Sequence, residues 1–433
     1  MNTPVKINFL AGLRKSSLLA DQQIDAAIAA VGEGEPHLSR HLVSQGLLTK
    51  FQASKLRTGV SGFFVDKYIV LDFIGKGGNS VVYKARHRHL PNRIVALKTI
   101  LSASLHENEE VEARFRQEVD IVSQLDHPNV VRAYDVLLRR NDIFLVLEYV
   151  EGCDLAQLVG QFGPLPVPDA ADYALQAARA LAYAHRLSVV HRDIKPANLL
   201  LARDGIVKLA DLGLAQVLSR RSTCEDEVST TCLGTPEFMS PEQAESPDTV
   251  DTRSDLYSLG ATLFHLLTGE LPVKGNTYMH KLKQLLTVPP RPLLDARPDV
   301  PRGLAELVDR LRSRLPEERP ASADEVITLL TPFARKISQD GDARNWDGRR
   351  KAALVLDVLK GKIDAEHACA PYGLPREEFE AWKHRFLEGG AQALESGANT
   401  SSAHQEAIRL LYAKIGAQAM ELESLKSRLQ SIA

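Results

Sequence analysis

His191-Arg192-Asp193-Ile194-Lys195-Pro196-Ala197-Asn198 is the stretch on which the fold turns. It sets a carboxylate, an ammonium and a carboxamide within eight residues. Phosphoryl transfer leaves a protein little covalent work and asks instead for positioned groups: one for a hydroxyl proton, one for the phosphate charge, one for a metal. Asp193, Lys195 and Asn198 are suitable residue types for these tasks, in that order. The tripeptide His191-Arg192-Asp193 alone says little, so the reading depends on whether the remaining parts occur in order on either side.

Upstream, Gly75-Lys76-Gly77-Gly78-Asn79-Ser80-Val81-Val82 follows the apolar run Tyr68 to Ile74 and leads into Tyr83-Lys84-Ala85, a pattern of two strands joined by a glycine turn. Backbone without Cβ can close over phosphates and offer N–H donors, the reason for glycine at Gly75 and Gly77. By itself such a loop also reads as an ordinary hairpin. Val95-Ala96-Leu97-Lys98 alternates as a strand does and ends on an ammonium that can meet α- and β-phosphates. Twenty residues later Phe115, Val119 and Val122 share one side of a helical pattern carrying Glu118, the expected partner of Lys98. Either residue taken singly is more often a solvated surface charge; their order in the chain favours the pair.

Downstream, Val207-Lys208-Leu209-Ala210 reads as a strand leading to Asp211-Leu212-Gly213, with Asp211 placed to take a metal that bridges phosphates. Gly234-Thr235-Pro236-Glu237 and Ser240-Pro241-Glu242 follow, and a long apolar helix begins at Asp251 to Gly260. Asp255 is expected to cap backbone near the catalytic loop. Arg319 is expected to be the buried partner of Glu242, a pair that holds a lobe together and is damaging to break.

In this order the motifs from residue 68 to about 333 resemble a eukaryotic-type (Hanks-type) bacterial serine/threonine protein kinase. The resemblance implies an α+β, two-lobed fold: an N-lobe sheet with the Glu118 helix, a helical C-lobe, and ATP with Mg2+ in the cleft. It implies catalytic roles for Asp193, Lys195, Lys98 and Glu118, and Mg2+ at Asn198 and Asp211. The nucleotide would be lined by Ile74, Gly75, Lys76, Gly77, Gly78, Val82, Ala96, Lys98, Leu147, Glu148, Val150, Asp154 and Leu200. Phe144 to Val150 looks like the strand and hinge between lobes, with Leu147 as gatekeeper and backbone of Glu148 and Val150 on adenine. Lys195 and Thr235 point to Ser/Thr acceptors in protein substrates. Thr231, with Thr230 second, is the expected activation-loop phosphosite, where a phosphate would pair with Arg192. Ser80 replaces the third glycine of the family's loop, and Leu212 replaces its usual phenylalanine. A pseudokinase scaffold is the alternative; the presence of Lys98, Glu118, Asp193, Asn198 and Asp211 favours an enzyme.

At 433 residues the chain has room for two or three domains, and 44% apolar residues suffice for real cores. Its 53 basic and 55 acidic residues nearly cancel, which excludes a general pull toward nucleic acid or anionic membrane. Cys153, Cys224, Cys232 and Cys369 lack metal-ligand spacing and read as reduced thiols. No apolar run approaches the ~20 residues of a membrane span, so a cytoplasmic location with no membrane partner is expected.

Residues 1–60 read as a helical extension: an amphipathic run Leu18 to Val31, a helix near Pro36 to Ser44, and a third over Lys50 to Leu56. Thr49 with Gln52 three residues on fits a capping box for the third. So small a core is expected to lean on the N-lobe or another protein. After a polar linker at 336–346, Ala352, Val355, Leu356 and Leu359 share a helical face in a module over 347–396. A short helix from Asp364 to Tyr372 and a third from Arg376 to Leu387, burying Phe379, Trp382 and Phe386, complete it. The spacing, with Tyr372-Gly373-Leu374 and Phe386-Leu387-Glu388-Gly389-Gly390, resembles the helix-turn-helix of certain transposases. Between Arg344 and Glu395 nine basic residues face nine acidic ones, so phosphate contact has no basic face to rest on and a protein partner is favoured over DNA. Finally, Ile408, Leu411, Ile415, Gln418, Leu422, Leu425, Leu429 and Ile432 alternate by four and three, the seam of a coiled coil over 402–433 that would make a homodimer. A single helix docked on its own chain is the alternative.

Overall fold

A computed structural model describes residues 9–32, 34–77, 80–101, 125–139, 142–211, 236–246, 250–335, 348–359, 365–369 and 374–395. Residues 1–335 form one compact unit and 336–433 another.

In the first unit, strands β1 (Phe64–Val65), β2 (Tyr68–Gly77), β3 (Ser80–His87), β4 (Ile94–Leu101), β5 (Ala133–Arg139) and β6 (Asp142–Glu148) form an antiparallel sheet in the order β1-β2-β3-β4-β6-β5. Period-two alternation decides its faces. Val95 and Leu97 of β4 are buried with Val70, Ala85 and Val146 in one core, so Ala96 and Lys98 between and beyond them point to the other face.

A smaller sheet of β7 (Gly152–Asp154), β8 (Leu199–Ala202) and β9 (Val207–Leu209) lies against the helical part of the unit. Its centre is helix Val167–Arg186, whose many buried alanines let neighbouring backbones approach closely. Helix Thr252–Thr268 is buried almost all round, with Ser254, Asp255, Ser258 and Thr262 buried alongside its leucines. At Gly260 an added Cβ would lie 2.5 Å from the Leu311 Cβ of helix Arg302–Leu311, so only glycine allows that crossing. Leu181, Leu256, Leu263, Leu304, Val308 and Leu330 belong to the common core.

The N-terminal extension contains four helices, α1 (Phe9–Ser16), α2 (Asp21–Val31), α3 (Glu35–Ser44) and α4 (Lys50–Arg57), one more than the periodicity indicates. The run expected from Leu18 starts only at Asp21, because Ser17 turns the chain at φ 54 and separates α1 from α2. Phe9, Leu13, Ile24, Leu38, Leu42 and Leu56 make a core of their own. The extension leans on the sheet: Phe51 of α4 packs against both this core and that of the sheet. Thr49 and Gln52 form the reciprocal capping box at the start of α4.

The second unit has helices Gly348–Leu359, Ala365–Cys369 and Arg376–Glu395. They enclose Leu354, Val355, Ala368, Cys369, Leu374, Phe379 and Trp382, and the Lys351 ammonium sits 4.7 Å over the Trp382 ring. The last helix continues past Leu387, through Gly389-Gly390, to Glu395; glycine lowers helix propensity by ~1 kcal/mol without forbidding the conformation. The second helix ends at Cys369, with the residues immediately after it outside the described set, as is the heptad segment 402–433. Among the described residues no helix is long and apolar enough to cross a membrane.

Candidate active site

The stretch from His191 to Asn198 lies between helix Val167–Arg186 and β8, ending in a single 3-10 turn at Pro196–Asn198. Lys195 Nζ donates to both carboxylate oxygens of Asp193, at 3.0 and 2.7 Å. The Asn198 amide nitrogen donates to the Asp193 carbonyl at 2.7 Å and to its Oδ2 at 3.0 Å. Two residues within five positions of Asp193 thereby hold its carboxylate, and Asn198 has its side-chain oxygen to offer a ligand.

The loop is fixed from behind. His191 accepts from the Asp193 N–H at Nδ1 (3.1 Å), so its Nε2 carries the proton and donates to the Ala210 carbonyl at 2.8 Å. That bond ties the loop to the residue before Asp211. Arg192 adopts φ 66, a left-handed conformation that costs ~1–3 kcal/mol and persists only where the surroundings impose it. Here they do: Asp255, fully buried, accepts from the N–H groups of His191 and Arg192 at 2.8 Å each and from His185 Nε2 at 2.8 Å. Gln243 Nε2 donates to the Arg192 carbonyl at 2.8 Å. Asp255 thus caps the loop as expected. Gln243 was not foreseen; its place three residues after Ser240 signals only the local capping box it also makes.

Asp211 follows β9 and is held at φ 66. Its Oδ1 is 2.6 Å from Lys98 Nζ, a side chain nearly buried on β4. Burial would push the Asp211 carboxyl up, but the Lys98 ammonium takes it below the usual carboxylate range, with His191 and Lys195 adding to the pull. The Lys98 strand, the catalytic loop and the segment after β9 therefore meet at one carboxylate. Glu118, the expected partner of Lys98, lies outside the described residues, as do Gly78, Thr230 and Thr231.

The remaining candidate residues lie on β2, β3, β4, β6, β7 and β8 and on the segments that follow them. Val82 pairs with Gly75 on one side and Lys98 on the other, and Ala96 pairs with Leu147. Ile74 is 47% exposed, Lys76 is exposed, and Leu147, Val150 and Leu200 are half-buried. The Glu148 N–H donates to the Arg132 carbonyl at 2.8 Å. Its carboxylate turns to Lys208 Nζ at 3.0 Å, joining the hinge to β9, a contact 60 residues long in sequence and without a local signal. Asp154 Oδ1 caps helix Leu155–Phe162 by accepting from the Gln157 N–H at 2.8 Å. Arg319 and Glu242 meet in two bonds of 2.6 and 2.8 Å, deep below the site.

Compared with known proteins, residues 68–329 match the family model described as protein kinase domain. Residues 331–400 match one described as a protein of unknown function, DUF1153. The chain is 36% identical over 278 residues to a probable serine/threonine-protein kinase of Clostridium perfringens, covering 64% of this chain and 39% of that protein. It is 33% identical over 288 residues to the serine/threonine-protein kinase PknB of Mycobacterium leprae (64% and 46%). With serine/threonine-protein kinase pkn3 of Myxococcus xanthus it shares 36% over 359 residues (78% and 64%). The chain spans about two-fifths to one-half of the length of the first of these relatives.

Proposed function

The chain belongs to the protein kinase domain family, and on that premise we propose that it is a serine/threonine protein kinase transferring the γ-phosphate of ATP to protein hydroxyls. The observation that carries the reading is the meeting of two charge systems: Asp193 held by Lys195 and Asn198, and Asp211 held by Lys98 with Lys195 near enough to lower its pKa. Asp193 orients the acceptor hydroxyl and takes its proton. Lys195, already turned toward that carboxylate, meets the transferred phosphate, and Lys98 meets the α- and β-phosphates. Glu118 would orient Lys98.

The donor set fits a hard cation. Asp211 contributes carboxylate oxygen and Asn198 amide oxygen, and among the described residues no cluster of three His, Cys, Asp or Glu side chains could cage a metal alone. Mg2+ would suit these donors, since it is commonly held by one or two protein oxygens together with phosphate and water, and it would supply neutralisation of phosphate charge. Ile74, Gly75, Lys76, Gly77, Val82 and Ala96 would cover the nucleotide from the sheet, and Leu147, Glu148, Val150, Asp154 and Leu200 from hinge and floor.

Autophosphorylation at Thr231 or Thr230, answered by Arg192, is the regulatory step we assign to the segment between Asp211 and Glu242. The module at 347–396 is a helix-turn-helix-like element that contacts protein rather than DNA, and 402–433 pairs two chains in the cytoplasm, raising the local concentration of one kinase for the other. Incubation with Mg-ATP followed by mass spectrometry tests the assignment. Phosphate within 219–235 in the wild type and none in Asp211→Asn supports it; equal labelling of both proteins refutes it and leaves the pseudokinase scaffold.

A further inference from the structure

Strand β2, which carries the glycine turn, does not pair smoothly with β3. Val70 lies opposite Ala85 and Asp72 opposite Lys84, leaving Leu71 as an extra residue; Phe73 lies opposite Tyr83 and Gly75 opposite Val82, leaving Ile74 as another. Bulges bend a strand, increase its twist and re-aim the residues beyond them. The second of these bulges presents Ile74, and the strand beyond it is Gly75-Lys76-Gly77. The first is three residues earlier, so its geometry sets the direction in which the turn leaves the sheet.

The carbonyls at the first bulge are satisfied by the N-terminal extension. Thr49 Oγ1 donates to the Leu71 carbonyl at 2.5 Å, and Gln52 Nε2 donates to the Val70 carbonyl at 2.8 Å. Both side chains are themselves oriented by the capping box of α4: Thr49 Oγ1 accepts from the Gln52 N–H at 3.1 Å, and Gln52 Oε1 accepts from the Thr49 N–H at 3.0 Å. Gln52 is only 3% exposed, so its amide has no water to turn to. A capping box needs only the local bonds; here the same two side chains reach outward onto a strand about twenty residues away.

An aromatic path runs parallel to these bonds. The Phe51 ring of α4 is 6.2 Å from that of Tyr83, which is 6.3 Å edge-on from Phe73, the residue between the two bulges. Such contacts are within the range of favourable ring pairs. Gln52 and Thr49 thus reach β2 just before and at Leu71, and Phe51 is linked to Phe73 beyond it through Tyr83 of β3, all on the approach to the turn.

We propose that the four-helix extension is a clamp on β2, and that Thr49 and Gln52 are positioning residues that hold the glycine turn in its ATP-binding direction. The inference rests on the kinase reading. It makes the extension part of the nucleotide site without touching the nucleotide, and it gives any protein that pulls α4 away a route to lower ATP affinity.

The test is steady-state kinetics against ATP with full-length Thr49→Val, Thr49→Ser and Gln52→Leu. Thr49→Val and Gln52→Leu should each raise the KM for ATP about fivefold, the equilibrium weight of one net hydrogen bond, with kcat within a factor of two. Thr49→Ser, which keeps the hydroxyl, should restore the wild-type KM. Variants that melt earlier but keep the wild-type KM would show a purely structural contact and overturn the proposal. Hydrogen exchange of the wild type, which needs no variant to fold, gives a second reading: Mg-ADP should slow exchange in 49–57 as well as in 70–77, because coupling between two sites is reciprocal. Unchanged exchange at 49–57 in nucleotide-bound protein would also overturn it. Wild-type protein that binds no ATP refutes the kinase reading itself and the clamp's role with it.

Discussion

Replacing Asp255 by asparagine keeps the shape of the side chain and removes what holds the catalytic loop. The carboxylate accepts three hydrogen bonds of 2.8 Å: Oδ2 from the His191 N–H and His185 Nε2, and Oδ1 from the Arg192 N–H. Asparagine has one oxygen. Its amide nitrogen must face either Arg192 or the pair on the other side, donor against donor. At least one buried N–H loses its acceptor, at ~1–3 kcal/mol, and the bonds that remain lose their charge assistance, so the total is about 3 kcal/mol. With a urea dependence of about 3 kcal/mol per molar, the unfolding midpoint should fall by about 1 M. The second effect is on rate. Arg192 at φ 66 is kept there by the bond to Asp255; once released, it relaxes toward negative φ and carries Asp193 with it. Displacing a positioned group by about 1 Å can cost ~100-fold. We therefore expect kcat to fall ~30- to 100-fold, with a small change in the KM for ATP, in stopped time-course assays alongside urea titrations monitored by tryptophan fluorescence. A midpoint unchanged within about 0.2 M, together with kcat within threefold of wild type, would refute the reasoning.

Four further outcomes follow from the geometry. Arg319→Met leaves the half-buried Glu242 carboxylate with Ser254 as its remaining side-chain donor and should destabilise the domain by about 3–5 kcal/mol in chemical denaturation. Burial would raise the Glu242 carboxyl, but Arg319 and Ser254 depress it below the usual range. Its stabilisation is then fully present above the unfolded value of about 4.3 and is lost as pH falls through the lower folded value, so the stability gap between wild type and Glu242→Gln should be flat from neutral pH to about 5 and narrow below about 4. Lys98→Met removes the cation paired with Asp211 and should lower kcat/KM for ATP at least ~100-fold while the protein still folds, as read by circular dichroism. Trp382→Ala empties the centre of the second unit and should cost it about 3–5 kcal/mol, seen as faster proteolysis within 348–395, with the melting of the first unit unchanged.

What the sequence made legible was chemistry confined to a few adjacent residues. The Asp193, Lys195 and Asn198 cluster and the capping box of Thr49 and Gln52 arise within two to five positions, so local spacing contains them. Asp255 and Arg319 were readable at long range because each belongs to a patterned motif whose partner is also patterned. The contacts that escaped join segments with no mutual pattern. Lys208 on Glu148, Gln243 on Arg192 and Thr49 on Leu71 each use a side chain already accounted for locally, or one that looks like a surface charge. Helix α1 has only eight residues, Phe9–Ser16, too few to show a helical period, and the break at Ser17 depends on a backbone angle that composition does not reveal. Lys98 also meets Asp211, a residue 113 positions on with no local signal of the contact, while its expected partner Glu118 lies outside the described residues.

The most direct measurement of the central claim is transfer of labelled γ-phosphate from Mg-ATP to a serine- or threonine-containing protein by the wild type and Asp193→Ala, at equal folded concentration. The wild type should incorporate label stably onto hydroxyl oxygens, and Asp193→Ala should do so more slowly by roughly 100-fold or more. Equal rates from the two proteins, or no transfer by the wild type while it still binds Mg-ATP, would contradict the account.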